Sequence, residues 1–339
     1  MSKLLKNFIG IDISKSYFDV ALILLMHPGQ HIHHQFSQCK NGFKKMLQWL
    51  AQQGVIINEE TIFCMEYTGI YNTGLVNFLV EQKAQLWVEM PLRIKRSCGF
   101  ERGSNDKTSA VKIAAYAFRH QDQIQLWRPL DSSIEKIKNL IAQRDRIVNA
   151  ITGLTVPVKE MLECGCVGEA RQLEKLQKTP LKALQKTKAA IEQLILKIVE
   201  QDEHIYKKTK QVESIKGIGK VTAVTLLAYT KGFTTFSTAK QLACYCGVVP
   251  FSKTSGSSVR YKPTVSQHAN KKLKKLLHLC ALSAIKHDPE IKLYFERKVG
   301  EGKNKMCVIN AVRNKLIHRI FAVIRDGRFF EENYVRNCA

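Results

Sequence analysis

Two short apolar runs in this chain each end in a carboxylate. "NFIGIDI" brings its apolar residues up to Asp12, and "TIFCMEY" brings its own up to Glu66. Runs this short and this apolar suit strands buried in a sheet that helices cover. A carboxylate inside such a strand is expensive to bury unless it is paired or sits at the exposed end. In open α/β sheets the carboxyl ends of the strands are where ligands collect. The two acids therefore point to a layered α/β domain with a functional edge.

The neighbouring sequence agrees over residues 1–125. "SYFDVALILL" and "HIHHQFS" follow the first run after short turns and predict consecutive antiparallel strands. "KNGFKKMLQWLAQQG" has helical spacing, with Phe43, Met46, Leu47 and Leu50 on one face. "YNTGLVNFLVEQ" predicts a helix and "AQLWVEMP" a further strand, giving a mixed sheet. Over residues 126–210 the strand signals vanish, and a helical region is expected. Leu184, Ile191, Ile198 and Ile205 recur every seven residues with Leu194 at the complementary position, while Thr187 and Gln201 interrupt the seam. An intramolecular hairpin with "SSIEKIKNLIAQRDRIVNAITGL" and an intermolecular coiled coil both fit. Residues 211–335 form a third, mainly helical domain, with helices expected over 238–246, 271–286 and 303–325. The fold class is thus α/β plus all-α.

Charge narrows the partner. Lys and Arg number 53 against 29 Asp and Glu, a surplus of 24, in a chain that is 45% hydrophobic. A folded chain this basic implies a polyanion, with nucleic acid first. No apolar run is long enough to span a membrane and no signal peptide is evident, so no membrane partner and a cytoplasmic location are expected. The ten cysteines are scattered, with close pairs only as C-x-C at 164/166 and 244/246, which is not a zinc spacing.

Four stretches carry chemistry. Asp106 opens a helix-like run and joins Asp12 and Glu66 as a third carboxylate on a third element. Such an oxygen set suits Mg²⁺, and two ions about 4 Å apart clamp the oxygens exchanged in phosphoryl transfer. The plainer reading makes Asp106 a helix cap. In "KGIGK", Lys216, Gly217, Gly219 and Lys220 resemble a helix-hairpin-helix grip on a DNA backbone, or form a plain turn between helices. "FSKTSGSSVRYK" is read as a polar loop in which Ser255, Ser257 or Ser258 flanks or follows Gly256 among Lys253, Arg260 and Lys262. "NKKLKKLLHLCALSAIKH" gathers Lys271, Lys272, Lys274 and Lys275 at a helix start, where cations are unfavourable unless an anion such as phosphate compensates.

In order, "GIDISKSYFDVAL", "MEYTGIY", "RGSNDKTSAVKIAAYA", "IKGIGKVTAVTLLA", "LACYCGVVPFSKTSGSS" and "HANKKLKKLLHLCALSA" resemble one family. It is that of insertion-sequence transposases with a DEDD-type, RuvC-like N-terminal domain and a C-terminal serine domain, including Piv-type DNA invertases and RNA-guided bridge recombinases. The resemblance implies an RNase H-like N-terminal domain holding Mg²⁺ through an acidic tetrad. Asp12, Glu66 and Asp106 match its first three acids; the fourth position is Ser109, a hydroxyl where the family has an acid. It implies Ser255 as the nucleophile, with Ser257 and Ser258 as near alternatives, and a covalent phosphoserine link to DNA. It also implies donor and target DNA, a structured guide RNA, and dimers that pair into tetramers. Two other readings stand beside it. One is a catalytically weakened DNA- or RNA-binding relative, prompted by Ser109. The other is a RuvC-like junction nuclease that uses the acidic domain alone.

Overall fold

The computed structural model describes residues 4–99, 106–129, 131–255 and 259–332, with side chains left out over 253–262. The chain divides into two compact units, Met1–Pro129 and Leu130–Ala339.

The first unit is a five-stranded sheet with helices on both faces. Its elements run β1 (Asn7–Ile13), β2 (Tyr17–Leu24), β3 (Ile32–Ser37), α1 (Lys40–Gln52), β4 (Thr61–Glu66), α2 (Asn72–Glu81), β5 (Gln85–Glu89), α3 (Pro91–Ser97) and α4 (Asp106–Arg119). The strand order is β3-β2-β1-β4-β5. β1, β2 and β3 pair antiparallel, whereas β4 and β5 continue parallel to β1. The mixed sheet predicted from the sequence is thus present, in an RNase H-like arrangement.

Alternation along each strand assigns side chains to two cores. Ile9, Ile11, Val20, Leu22, Phe63 and Met65 face α1 and α2, with Phe43, Met46 and Leu50 of α1 packed there. Phe8, Ala21, Ile23, Ile62, Cys64 and Trp87 face α4, against Ala110, Ile113, Ala114 and Ala117. Helix α4 comes unusually close. A Cβ on Gly10 would lie 2.2 Å from the Ala110 carbonyl oxygen and 2.2 Å from the Ala114 amide nitrogen. Only glycine allows that approach, because any side chain there would overlap backbone rather than a movable side chain.

The second unit is mostly helical. It contains α5 (Ser132–Glu163), α6 (Val167–Gln201), α7 (Glu203–Glu213), α8 (Lys220–Tyr229), α9 (Ala239–Tyr245), β6 (Pro250–Ser255), β7 (Val259–Val265), α10 (Lys271–His287), α11 (Pro289–Gly300) and α12 (Lys305–Asp326). α5 and α6 pack along each other as a hairpin. Ile134, Ile137 and Ile141 of α5 meet Ile195 and Val199 of α6, with Ile191 and Ile198 partly buried beside them. The heptad seam is not one continuous helix: α6 ends at Gln201, and Asp202 caps α7 by accepting from the Ile205 amide, so Ile205 belongs to a new helix.

Two features depart from the sequence expectation. The segment read as a polar loop at 250–265 is an antiparallel hairpin, with Ser255 opposite Val259. Its β-branched and aromatic residues, Thr254, Val259, Tyr261, Thr264 and Val265, favour extended backbone more than the serines oppose it. Helix α11 was also not expected. Asp288 caps it and Pro289 opens it, a start signal hidden behind a polar stretch. No helix among the described residues is long and apolar enough to cross a membrane.

Candidate functional site

The alternation that builds the α4 face also lines up carboxylates along it. Asp12 stands opposite Asp19 across β1 and β2, and Glu66 stands beside Glu89 across β4 and β5. Ile11 pairs with Met65, so Asp12 and Glu66 lie at the matching ends of adjacent parallel strands. Four neighbouring strands, each about 4.8 Å from the next, thus carry Asp19, Asp12, Glu66 and Glu89 in a row.

The outer two acids are satisfied by the fold. Asp19, buried, accepts from His33 Nε2 at 2.7 Å and from Gln35 Nε2 at 3.1 Å. Glu89, also buried, accepts from the Met90 amide at 2.7 Å, from the Tyr116 hydroxyl at 3.1 Å and from Arg93 at 3.3 Å. Neither was picked out from the sequence. The signal was present, since both interrupt apolar strands on the same parity as Asp12 and Glu66.

The inner two have no cationic partner among the described residues, and they share their edge with α4. Burial, then the charges of Asp106, Glu66 and Asp19, push the Asp12 carboxyl up to about 6, against a hydrogen bond from Ser109 that pulls it down. Glu66 is raised by burial. The Tyr17 hydroxyl donates to Asp106 Oδ2 at 3.1 Å, tying the first turn of α4 to the start of β2. Asn72, at the start of α2, accepts from the Thr68 amide at 2.6 Å and donates to the Glu66 carbonyl at 2.8 Å, fixing the chain as it leaves β4. The structure thus brings Asp12, Glu66, Asp106 and Ser109 to one end of the sheet.

Among the described residues no three His, Cys, Asp or Glu side chains stand close enough together to hold a metal ion as they are. The donor chemistry nevertheless fits a hard divalent cation. All four groups offer oxygen, and the repulsion that raises Asp12 is what such an ion would relieve.

In the second unit the sequence-predicted residues divide differently. Gly217 sits in the turn between α7 and α8 with φ +92, and a Cβ there would meet Ala284 and the Cys280 carbonyl of α10 at 2.8 Å. Cys280 Sγ donates to Thr222 Oγ1 of α8 at 3.6 Å, and Gly219 precedes that helix as its N-cap. Lys216 pairs with Glu332. Lys220 begins α8. Lys272 turns inward to pair with Asp145 of α5 and stands 5.2 Å over the Tyr229 ring. Lys271 and Lys275 are exposed, and Lys274 is half-buried. Ser255 ends β6. Its side chain, those of Lys253, Arg260 and Lys262, and all of Gly256, Ser257 and Ser258 lie outside what is described.

Comparison with known proteins names the class. Residues 9–165 match a DEDD-type insertion-element family described as a transposase, and residues 209–296 match the transposase IS116/IS110/IS902 family. The class that these two matches define is the IS110/IS116-family transposase with a DEDD-type N-terminal domain, and the chain carries both of its parts. Over its length it is similar to the pilin gene-inverting protein of Moraxella bovis, with 25% identity over 96% of this chain and 98% of that one. A shorter stretch, 35% of this chain and 29% of the other, is 34% identical to an uncharacterized 43.6 kDa protein of insertion element IS110 from Streptomyces coelicolor.

Proposed function

We propose that this chain is a transposase or DNA invertase that cuts and rejoins DNA, with its acidic edge and the β6–β7 hairpin as the two reacting parts. The observation that carries this reading is the acidic edge itself. Asp12 and Glu66, left without cations, meet Asp106 and Ser109 at one end of the sheet, and the match of residues 9–165 to a DEDD-type transposase family supports reading them as its acidic site. Asp12, Glu66 and Asp106 would hold Mg²⁺, with Ser109 at the fourth position. Bound there, Mg²⁺ would neutralise charge on phosphate oxygens and favour their exchange. The buried floor beneath the acids limits water, and the Ser109 hydroxyl orients Asp12.

Ser255 is assigned as the nucleophile. Its oxygen bonds to phosphorus while one phosphorus–oxygen bond to a sugar breaks, and the serine proton passes to the departing sugar oxygen. Attack on the phosphoserine by the hydroxyl of another strand reverses the step and rejoins DNA. A structured guide RNA is proposed to select the donor and target DNA, with two chains or four assembling so that the acidic edge of one serves the serine of another. Leu176 is 74% exposed and Leu194 47%, which supports the α5–α6 hairpin as a contact between copies.

Recombination of a DNA substrate by wild type, Ser255→Ala and Asp12→Asn tests this. Loss in both variants, with a covalent protein–DNA species only where Ser255 is present, is the expected result. Cleavage that persists in Ser255→Ala without a covalent species would indicate a junction nuclease. Mixing the two variants should restore recombination if the parts act between chains. One residue favours the second reading, a weakened nucleic-acid binder: at the fourth position that the resemblance implies for an acid, this chain has Ser109. Wild type that binds DNA and never recombines it would establish that alternative. Sequencing the nucleic acid that co-purifies tests the guide, and a discrete structured RNA is expected.

A further inference from the structure

Arg313 of α12 is a buried cation without a counter-charge. It is 7% exposed, and no carboxylate among the described residues pairs with it. One terminal nitrogen donates to His278 Nδ1 at 2.5 Å and the other to Asn310 Oδ1 at 3.3 Å, while its Nε is buried with no partner. An arginine always carries its proton, so Nδ1 of His278 accepts and Nε2 keeps a hydrogen to donate. Burial and the adjacent guanidinium both hold His278 below the usual histidine range, in keeping with a neutral donor. The buried Asn314 Oδ1 on the next residue is likewise unpartnered.

The chain around these groups leads to the hairpin. Asn310 donates to the Val248 carbonyl at 2.7 Å, two residues before β6 begins. Gly247 packs on Ala269 just before α10, and the Lys274 side chain passes 3.7 Å from where a Gly247 Cβ would stand. Lys274 and His278 are four residues apart on α10 and share a face. Two cations, a histidine N–H and an asparagine therefore gather at the root of the β6–β7 hairpin, with no acid among the described residues paired to Arg313 or Lys274.

Burying an uncompensated guanidinium costs several kcal/mol unless an anion arrives to pair with it. We propose that Lys274, His278, Asn310 and Arg313 form an anion pocket at the hairpin root that receives a phosphate of the DNA strand lying along the hairpin. The pocket rests on the DNA reading above and adds to it a fixed register, one phosphate held on helices α10 and α12 at the base of the hairpin.

The test measures DNA affinity against salt for the full chain as wild type, Arg313→Gln and Arg313→Lys. Arg313→Gln should weaken binding about tenfold or more, as loss of a charged hydrogen bond does, and lower the salt slope by about 0.9 for one phosphate contact. Arg313→Lys should keep most of the slope. The thermal midpoint of DNA-free Arg313→Gln should equal or exceed that of wild type, because the variant sheds an unbalanced buried charge. Inorganic phosphate should raise the midpoint of wild type more than that of Arg313→Gln or Lys274→Gln. An unchanged slope in folded Arg313→Gln overturns the proposal, as do equal shifts with phosphate. A phosphate shift without a change in slope would make the pocket a free-ion site and overturn its DNA role. If Arg313→Gln does not fold, Lys274→Gln and Arg313→Lys carry the same measurements. Wild type that fails to bind DNA at all would sink the functional reading instead, while the phosphate comparison would still judge the pocket.

Discussion

At the residue scale the acidic edge holds two kinds of carboxylate that a sequence cannot tell apart. Asp19 and Glu89 are held by hydrogen bonds from His33, Gln35, Arg93 and Tyr116. Asp12 is left facing the charges of Asp106 and Glu66, and Glu66 is left half-buried without a cation among the described residues. The raised Asp12 has a consequence for stability. Burial and the neighbouring acids push its carboxyl up from 3.8 to about 6 in the fold, so the unfolded chain releases that proton first. Stability of the metal-free protein should therefore fall as pH rises from about 4 to about 6 and level off above. Asp12→Asn should remove that fall and be more stable at pH 7 by about 1 kcal/mol, discounted for the half-exposed carboxyl. Thermal melts of both proteins in chelator across this range check it, and a constant difference at every pH would refute it. Ser109→Asp should tighten Mg²⁺ binding by at least about tenfold, or about 1.4 kcal/mol, in calorimetry. Unchanged or weaker binding would remove Ser109 from the metal position.

At the element scale the site depends on how closely α4 lies on β1. Gly10→Ala should push the helix away and cost about 1–3 kcal/mol by overpacking. Because Asp106 and Ser109 ride on that helix, Mg²⁺ affinity should fall with it; calorimetry that finds wild-type affinity would show the helix does not set the site. Helix α11 offers a second check. Asp288 both caps it and takes Arg319 at 2.6 Å. Asp288→Ala should destabilise the chain by about 2 kcal/mol through a lost cap and one lost ion pair, Arg319 keeping its pair with Glu290, read by chemical denaturation. Most of the first unit was legible, because its strands and helices announce themselves by period. Asp12, Glu66 and Asp106 were legible as strand-end and helix-start acids. The hairpin at 250–265 was not, since serines and a glycine masked its β-branched residues. Nor were Asp19, Gly10 and Arg313, whose significance comes from partners far away in sequence.

At the scale of the whole molecule, a surplus of 24 positive charges gives binding a strong dependence on salt. A protein that covers six to ten phosphates loses about 10³–10⁵ in affinity between 50 and 200 mM salt, and this chain should fall in that range in a fluorescence titration. A loss under about tenfold would mean that the charge serves something other than a nucleic-acid backbone. Not every lysine counts toward it. Lys272 and Lys216 are engaged with Asp145 and Glu332, so the contacts should fall on others such as Lys271 and Lys275. The close seat of α4 finally bears on what a genetic screen would return. Loss-of-function mutants would include Gly10 beside Asp12, though Gly10 has no chemistry to lose. Its contact is with the backbone of Ala110 and Ala114, so shortening either side chain leaves the obstruction in place. No suppressor of a Gly10 mutation should arise by trimming the facing helix, and reversion to glycine should dominate among the recovered survivors.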